Sequence, residues 1–438
     1  MRENELKQLL DSLTWKEKIG QLVQLSGEFF DSDALAVGPQ EKLGISKDDV
    51  KLTGSVLNVS GIENIKKIQE KYLKESRSKI PLLFMADIIY GYRTIFPIPL
   101  GLGATWNPEL INEAYKIVGK ESRSAGVHVT YAPMVDLVRD ARWGRSLEST
   151  GEDVTLNNDF ARAMVTGIQQ ENEDGLNGIA SCVKHFAAYG AGEGGREYNT
   201  VDMSERRLRQ DYLGSYKAAI DAGSKLVMTS FNTYDGMPVT GNEFLLKKIL
   251  REEWGFEGVV ISDYAAVKEL IDHGVAKDER EATLLAMNAT NDIDMKTSCY
   301  ATQLEPLLKD GELDSELINQ AVWRVLKLKN DLGLFEDPYR GTSVTKEKET
   351  LLTEKSRSLA RKVSSESIVL LQNKDDILPL SPNKEKILLV GPYGDKQDLI
   401  GLWAVHGKTE DVISIKDGLE ERLSKKYFDF EKGCDMLD

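Results

Sequence analysis

The sequence lacks the features of disulfide-rich, zinc-binding and membrane-spanning proteins. It contains only three cysteines in 438 residues, and their wide separation fits neither a disulfide framework nor a zinc site. Reduced thiols of this kind are typical of a cytosol. No stretch approaches the roughly 18 apolar residues of a membrane span, and the charged start of the chain has no apolar segment typical of a secretory signal. We therefore expect a cytoplasmic protein without a membrane segment.

Basic residues and histidines are also scarce. Lysine and arginine number 56 against 71 acidic residues, which gives a net charge of −15. Such a chain repels phosphate groups, so we expect no nucleic-acid partner and no anionic membrane surface. The four histidines form no H-E-x-x-H or H-x-H motif, so we expect neither a catalytic metal nor a cofactor. They are His128, His185, His273 and His406.

Eight short apolar runs alternate with helical patterns along the first part of the chain. The segments between them carry apolar residues at steps of three and four, as amphipathic helices do. Strands that alternate with helices pair in parallel through right-handed crossovers. The pattern predicts an α/β protein with a (β/α)8 barrel of the TIM type, and a doubly wound open sheet is the alternative. The runs lie at residues 20–25, 54–59, 81–87, 127–133, 180–186, 225–231, 258–263 and 291–295.

A second domain is predicted to follow the barrel. We expect the barrel at residues 1–336, a partly helical linker packed on it at 337–385, and the beginning of a C-terminal α/β sandwich domain at 386–438. This last region contains two predicted strands separated by a predicted helix. About 50 residues bury too little surface to fold alone, so we expect this domain to be truncated.

Polar side chains gather where the predicted strands end, which is the face where barrel enzymes bind their substrates. Taken alone, Asp263 would fit a helix N-cap, Arg145 an ion-pair partner, and His185 a core histidine with satisfied hydrogen bonds. Their gathering at several strand ends favours a functional site instead. The residues at strand ends are Asp87, Lys184, His185, Met228, Phe231 and Asp263, and the loop after the fourth strand adds Arg139, Arg142 and Arg145.

This set of side chains suits a neutral ligand with many hydroxyl groups. Carboxylates accept hydrogen bonds from hydroxyls, cations donate to ring oxygens, and aromatic faces pack on the C–H surfaces of sugars. The G-x-S-x-G motif of a serine nucleophile is absent. The charge of Lys184 would keep a neighbouring carboxylate ionised, as nucleophilic attack on an anomeric carbon requires.

Five long segments, in this order, carry a resemblance that covers nearly the whole chain. They are DIIYGYRTIFPIPLGLGATWNPELI, RDARWGRSLESTGED, CVKHFAAYGAGEGGREYNTVDMSERRLRQDYL, VVISDYAAV and ESIVLLQNKDDILPL. Together they resemble glycoside hydrolase family 3, the β-glucosidase group. The resemblance implies a hydrolase of carbohydrate metabolism. Such a glycosidase releases terminal β-D-glucosyl residues from oligosaccharides or glucosides by a retaining double displacement.

The resemblance also implies a role for each matching residue. Asp263 would be the nucleophile, and four residues would hold the hydroxyls of the glucosyl unit, supported by Arg93. Three further residues would form the walls of the site. The four are Asp87, Arg145, Lys184 and His185, and the three are Met228, Phe231 and Tyr264.

The sequence departs from the family pattern in two respects. Tyr90, Phe231 and Tyr264 stand where many members carry His, Tyr and Trp, and we expect them to tune sugar fit and aglycone preference. The acid/base glutamate of the family commonly comes from a loop of the second domain, so we expect it beyond residue 438. Glu431 lies in a predicted strand too early for that role.

Other functions stay open at this point. A β-xylosidase of the same family fits the motifs equally, because they do not fix the group at C5, and a truncated barrel that binds sugars without full activity is a second alternative. The N-acetylglucosaminidase branch is disfavoured, because Ala187 and Tyr189 replace its Pro and second His. A phosphate-binding lyase or aldolase would need a late Gly-rich loop, which is absent. Linkage and aglycone stay undetermined, and a homo-oligomer is compatible with the sequence.

Overall fold

Eight short parallel strands close into a barrel. The structure, a computed structural model, describes residues 1–31, 43–172, 175–381 and 384–435. The strands run side by side in the order β7-β6-β5-β4-β3-β2-β1-β8, and a parallel bridge between Ile261 and Ile293 joins the two ends. Each strand overlaps one of the eight predicted runs, so the barrel is confirmed and the open sheet was wrong. The strands are β1 (Val23–Ser26), β2 (Ser55–Leu57), β3 (Leu83–Ala86), β4 (Val129–Thr130), β5 (Ala180–Phe186), β6 (Leu226–Thr229), β7 (Val259–Ile261) and β8 (Asp294–Met295).

Helices surround the barrel and continue into the linker. The three predicted helical segments at 108–125, 204–222 and 242–253 are helical, the last as a π-helical stretch, Phe244–Glu253. The α-helices are α1 (Glu3–Ser12), α2 (Trp15–Gln21), α3 (Lys47–Val50), α4 (Ile62–Glu75), α5 (Pro99–Ala104), α6 (Pro108–Ser124), α7 (Val154–Gln169), α8 (Glu205–Arg207), α9 (Gly214–Asp221), α10 (Glu269–Asp272), α11 (Glu279–Asn288), α12 (Cys299–Lys309), α13 (Ser315–Asp331), α14 (Val344–Thr350), α15 (Glu354–Glu366) and α16 (Ile415–Glu420).

Successive side chains along each strand point alternately into the barrel and toward the surrounding helices, and both environments are buried. In β7, Val259 and Ile261 belong to the cluster inside the barrel, whereas Val260 belongs to the cluster between barrel and helices. Leu226 and Met228 of β6 pair with the two inward residues of β7. This alternation fixes which side chains reach the barrel axis when a strand is extended past its end.

The C-terminal region packs against the barrel. Helices α14 and α15, which lie in the predicted linker, contact α6 of the barrel. Beyond them, β9 (Ile387–Val390) pairs in parallel with β10 (Phe428–Glu431), each within a predicted strand, and α16 lies between them in sequence. The domain boundaries themselves stay predictions.

Within the described residues, no helix combines the length and apolar character needed to cross a bilayer. In the same part of the chain, no group of three His, Cys, Asp or Glu side chains is arranged to hold a metal ion.

Candidate active site

Three charged residues continue the inward-facing positions of three strands. Asp87 follows Leu83 and Met85 at steps of two, Lys184 follows Ala180 and Cys182, and Asp263 follows Val259 and Ile261. Their side chains therefore meet over the carboxyl end of the barrel. Lys184 Nζ donates to Asp87 Oδ1 at 3.1 Å, and both side chains are largely buried. The structure thus brings together residues that are almost 180 positions apart in the sequence.

Asn58, which sequence reasoning missed, fixes the orientation of Asp87. It follows β2 with a left-handed backbone, φ 54°. Its amide nitrogen Nδ2 donates to Asp87 Oδ2 at 3.3 Å, and its Oδ1 accepts from the backbone N–H of Asp87 at 2.9 Å. Both carboxylate oxygens of Asp87 thus accept a hydrogen bond within the protein, one from Asn58 and one from Lys184.

His185 reaches the site because β5 is irregular. The pairing of β5 with β6 shifts register between Val183 and Phe186, and such irregularities re-aim side chains. His185 Nδ1 lies 2.8 Å from Asp136 Oδ2, and Tyr216 donates to Asp136 Oδ1 at 2.6 Å. The buried carboxylate of Asp136, a residue that sequence reasoning missed, thereby orients the imidazole.

The other nitrogen of His185 faces the candidate nucleophile. His185 Nε2 lies 3.5 Å from Asp263 Oδ2, and neither buried atom has a hydrogen-bond partner in the described part of the chain. Burial lowers the pKa of His185 well below its ordinary value and raises that of Asp136 to about 7. A neutral ring that donates from Nδ1 to Asp136 presents the lone pair of Nε2 to the site. A ligand hydroxyl that donates to Nε2 fits this arrangement.

Asp263 is buried beside two cations. Its Oδ1 accepts from the backbone N–H of Tyr264 at 2.6 Å. Burial raises its pKa to about 6, although the charges of Arg145 and Lys184 lower it. The sequence predicted that a neighbouring lysine would keep this carboxylate ionised; burial outweighs the two cations, so ionisation requires a pH above about 6. Asp263 is not a helix N-cap, because α10 begins six residues later with Lys268 at its N-cap position.

Arg145 is the arginine of the 139–145 loop that faces the site. Its Nε and Nη2 donate to the two carboxylate oxygens of Glu148 at 2.7 and 3.0 Å. Burial alone would lower the pKa of Arg145, but Glu148 raises it above its ordinary value. Arg139 pairs instead with Asp211, and Arg142 pairs with Asp140. The ion-pair interpretation of Arg145 was therefore correct in part, since the same guanidinium also lies beside Asp263.

Two side chains of the C-terminal region, Trp403 and His406, lie over the site, which the sequence did not predict. We call them the roof. The indole ring of Trp403 lies 5.6 Å from Arg145 Cζ and 5.6 Å from Lys184 Nζ, as in cation–π contacts. The imidazole of His406 stacks obliquely on Tyr92 at 5.0 Å, and its Nε2 is buried without a partner among the described residues. Because the barrel residues and this roof are more than 200 positions apart, no local sequence pattern connects them.

Two predicted residues have other contacts than expected. Arg93 donates from Nε to Asp411 of the C-terminal region at 2.6 Å, so its guanidinium joins the two domains. The hydroxyl of Tyr90 donates to the carbonyl oxygen of Ile400 and accepts from the N–H of Trp403 at 3.1 Å each. Tyr90 therefore anchors the roof, and its expected influence on sugar fit and aglycone preference stays a prediction.

The remaining wall residues lie at the mouth or below it. Met228 is buried inside the barrel beneath the site. Phe231 is buried in a small aromatic cluster with Trp143 and Tyr189, and Tyr264 packs against the same cluster. The catalytic and binding roles of all these residues stay predictions.

The comparisons with known proteins agree with this geometry. The glycosyl hydrolase family 3 N-terminal domain matches residues 14–328, and the C-terminal domain of the same family matches residues 368–433. The periplasmic beta-glucosidase of Salmonella typhimurium is 39% identical over 429 residues, which cover 96% of this chain and 54% of that protein. A putative beta-xylosidase of Formosa agariphila is 33% identical, over 89% of this chain and 53% of that protein.

A solved structure is similar along nearly the whole chain. The crystal structure of a beta-glucosidase from Listeria innocua in complex with isofagomine superposes with a TM-score of 0.94 and 46% identity. The match covers 99% of this chain and 60% of that one. A mutant of the same enzyme in complex with laminaribiose gives a TM-score of 0.92 with 44% identity. The chain spans about half the length of the curated relatives it matches.

Proposed function

The chain belongs to glycosyl hydrolase family 3, and we propose that it carries the sugar-binding pocket and the nucleophile of a retaining β-glucosidase. Its substrates would be short oligosaccharides or glucosides with a terminal β-D-glucosyl unit. Relatives named beta-glucosidases support this choice, and so does the similar structure that holds laminaribiose.

One observation carries the proposal. Two buried polar atoms without partners in the described residues, His185 Nε2 and Asp263 Oδ2, face each other at 3.5 Å beside the Lys184–Asp87 pair. Buried polar atoms normally have hydrogen-bond partners, and leaving one without a partner costs about 1–3 kcal/mol. With His185 neutral and Asp263 ionised, both atoms accept hydrogen bonds, and a sugar with several hydroxyl groups can supply a separate donor to each. The pocket is therefore polar, preorganised and incomplete without a ligand of this kind.

The mechanism follows from the charges. The ionised Asp263 attacks the anomeric carbon and forms a glycosyl ester while the bond to the leaving oxygen breaks and that oxygen takes up a proton. Water then cleaves the ester and restores the carboxylate. Asp87, Lys184 and His185 hold the sugar hydroxyls. The proton donor is proposed to be a glutamate outside these 438 residues, as the resemblance predicts.

A trapping experiment tests the proposal. A 2-deoxy-2-fluoro-β-glucoside with a good leaving group should inactivate the protein, and peptide mass mapping should find the label on Asp263. Labelling of a different carboxylate would overturn the assignment of the nucleophile. A matched β-xyloside decides the sugar, because faster trapping by the xyloside would favour the β-xylosidase alternative that relatives of 33% identity support.

Two proposals rest on composition, a cytoplasmic location and the absence of a nucleic-acid partner. A homo-oligomer, with which the sequence is compatible, is the third. Cell fractionation and light scattering of the purified protein would test the first and the last. The name of the Salmonella relative concerns the location of that protein alone.

A further inference from the structure

Two nitrogen atoms of His185 converge on one oxygen of Asp136. The backbone N–H of His185 donates to Asp136 Oδ2 at 3.0 Å, and the ring nitrogen Nδ1 lies 2.8 Å from the same oxygen. Both side chains are almost completely buried. The bond at Nδ1 can run in either direction, because the proton can sit on the ring or on the carboxyl group. The position of any proton on Asp136 therefore decides the tautomer of His185.

The hydroxyl of Tyr216 lies against the other carboxylate oxygen. It is 2.6 Å from Asp136 Oδ1 and also 2.6 Å from the carbonyl oxygen of His185. A tyrosine hydroxyl has one proton to donate, and it can accept a further hydrogen bond. When Asp136 is ionised, the hydroxyl can donate to only one of the two oxygens at a time. When Asp136 carries a proton on Oδ1, the carboxyl group donates to Tyr216, Tyr216 donates to the carbonyl oxygen, and both short contacts are hydrogen bonds.

A proton on Asp136 is therefore favoured on Oδ1, beside Tyr216, and not on Oδ2. Oδ2 then accepts from Nδ1 in both charge states, which keeps the proton of the neutral imidazole on Nδ1. The opposite tautomer would place a proton on Nε2, which lies 3.5 Å from Asp263 Oδ2. That proton would be donated to the proposed nucleophile. In the described residues Nε2 has no hydrogen-bond partner, as expected of a lone pair that awaits a ligand.

We propose that Asp136 and Tyr216 are positioning residues that hold the proton of His185 on Nδ1, whichever charge Asp136 carries. The consequence for the sugar rests on the function proposed above. Nε2 accepts a hydrogen bond from a glucosyl hydroxyl, and Asp263 keeps its free oxygen for the anomeric carbon. The pocket therefore selects against a substituent that cannot donate at this position, such as fluorine.

Nitrogen NMR tests the tautomer without any substrate. In protein labelled with ¹⁵N in its histidine rings, protonated and unprotonated ring nitrogens have different shifts, and a His185→Asn variant identifies the signals of His185. Burial raises the pKa of Asp136 to about 7, and the charged or titratable groups that act on it are Tyr216, His185, Arg145 and Glu148. We expect an unprotonated Nε2 in the wild type both at about pH 8 and at about pH 6.

Three variants should give three different results. Asp136→Asn should keep the proton on Nδ1, because the amide oxygen replaces Oδ2 and the amide nitrogen donates to Tyr216. Asp136→Ala removes the acceptor, so the proton should move to Nε2, toward the carboxylate of Asp263. Tyr216→Phe should move it to a larger extent at pH 6 than at pH 8, because a proton on Oδ1 then lacks an acceptor and moves to Oδ2, which donates to Nδ1.

The control is the residue that precedes Tyr216 on α9. Ser215 is buried, and its hydroxyl donates to the carbonyl oxygen of Val135, the residue before Asp136, at 2.8 Å. Ser215→Ala removes one hydrogen bond between the same helix and the same loop. It should leave the tautomer of His185 unchanged at both pH values.

Calorimetry tests the consequence for the sugar. The ligands are phenyl 1-thio-β-glucoside and its analogues with fluorine in place of one hydroxyl, since fluorine cannot donate a hydrogen bond. At least one analogue should bind the wild type and Asp136→Asn roughly 10-fold more weakly than the parent glucoside. In Asp136→Ala, where Nε2 carries a proton, the loss for this analogue should fall below about 3-fold.

The inference is overturned by a proton on Nε2 of the wild type, by a proton on Nε2 of Asp136→Asn, or by a Tyr216→Phe variant with the wild-type tautomer at pH 6. Asp136→Asn and Tyr216→Phe change few atoms, so the test does not depend on the folding of Asp136→Ala. An equal fluorine effect in the wild type and in Asp136→Ala would refute the role of Nε2 in sugar binding. A wild type with the expected tautomer that binds no glucoside would contradict the proposed function alone.

Discussion

Replacing Asp263, the proposed nucleophile, should stabilise the fold while abolishing turnover. Asp263→Asn removes a charge that the folded protein buries beside the barrel axis. Burial raises the pKa of Asp263 from its ordinary value of 3.8 to about 6. The folded state therefore disfavours the charged carboxylate, and this cost is fully present above pH 6 and absent below about pH 4. Asn carries no charge at any pH, so the gain should appear only at the higher pH.

The magnitude follows from the same pKa. Each pKa unit corresponds to about 1.4 kcal/mol, so the buried charge costs the folded state about 3 kcal/mol at pH 8. The two cations beside Asp263 do not lose their partners in the variant, because Lys184 keeps Asp87 and Arg145 keeps Glu148. We therefore expect most of this energy to be recovered, and a Tm that rises by several degrees at pH 8 but changes little at pH 4.

Thermal unfolding of the wild type and two variants at both pH values is the assay. Asp87→Asn is the matched control, since it also neutralises one pocket carboxylate but leaves Lys184 without its ion-pair partner at 3.1 Å. That variant should lose stability at pH 8. A lower Tm for Asp263→Asn than for the wild type at pH 8 would refute the reasoning, because the charge would then be stabilised rather than disfavoured by the fold.

Four further outcomes are expected. Lys184→Met removes a charge that lowers the pKa of Asp263, so the acid limb of kcat/KM should move up by roughly 1 pH unit, whereas Lys184→Arg should leave it in place. Arg93→Met breaks the 2.6 Å ion pair with Asp411 and should destabilise the C-terminal region by about 1–3 kcal/mol. A protease should then cleave that region earlier than in the wild type, and equal resistance to proteolysis would contradict this prediction. A chelator should change neither the Tm nor the rate of trapping, and a loss of either would reveal a metal. If the general acid lies outside these 438 residues, this chain alone should cleave disaccharides roughly 10²- to 10⁴-fold more slowly than a protein that includes the acid. The loss of rate should be smaller on aryl glucosides. Full disaccharide turnover by this chain alone would refute this prediction.

The barrel and most of the pocket were predictable because side chains alternate in direction along a strand with a period of two residues. Residues 83, 85 and 87, or 259, 261 and 263, alternate inward along a strand, so an acid at the end of the series must lie at the mouth. The sequence analysis located Asp87, Lys184 and Asp263 by their positions at strand ends, and the structure shows that the alternation along each strand directs all three toward the barrel axis.

The rest of the site depends on contacts that no local pattern encodes. His185 has the wrong parity in its strand and reaches the site through the register shift in β5. Asn58 follows β2 with a left-handed backbone, and its two hydrogen bonds to Asp87, 29 positions away, correspond to no local pattern. The upward shift in the pKa of Asp263 was not predicted, because the sequence shows the neighbouring cation but not the burial that outweighs it.

The contacts of the C-terminal region imply that sugar binding and domain packing depend on each other. Trp403 lies over Lys184 and Arg145, two cations that we propose hold the sugar. The backbone of Trp403 is in turn fixed by Tyr90 of the barrel. A sugar that draws the two cations toward its own oxygens must change their contact with the indole ring, so the stability of this interface and the affinity of the pocket cannot vary independently. For this reason a substitution such as Tyr90→Phe, which touches no ligand, should alter KM through the roof alone.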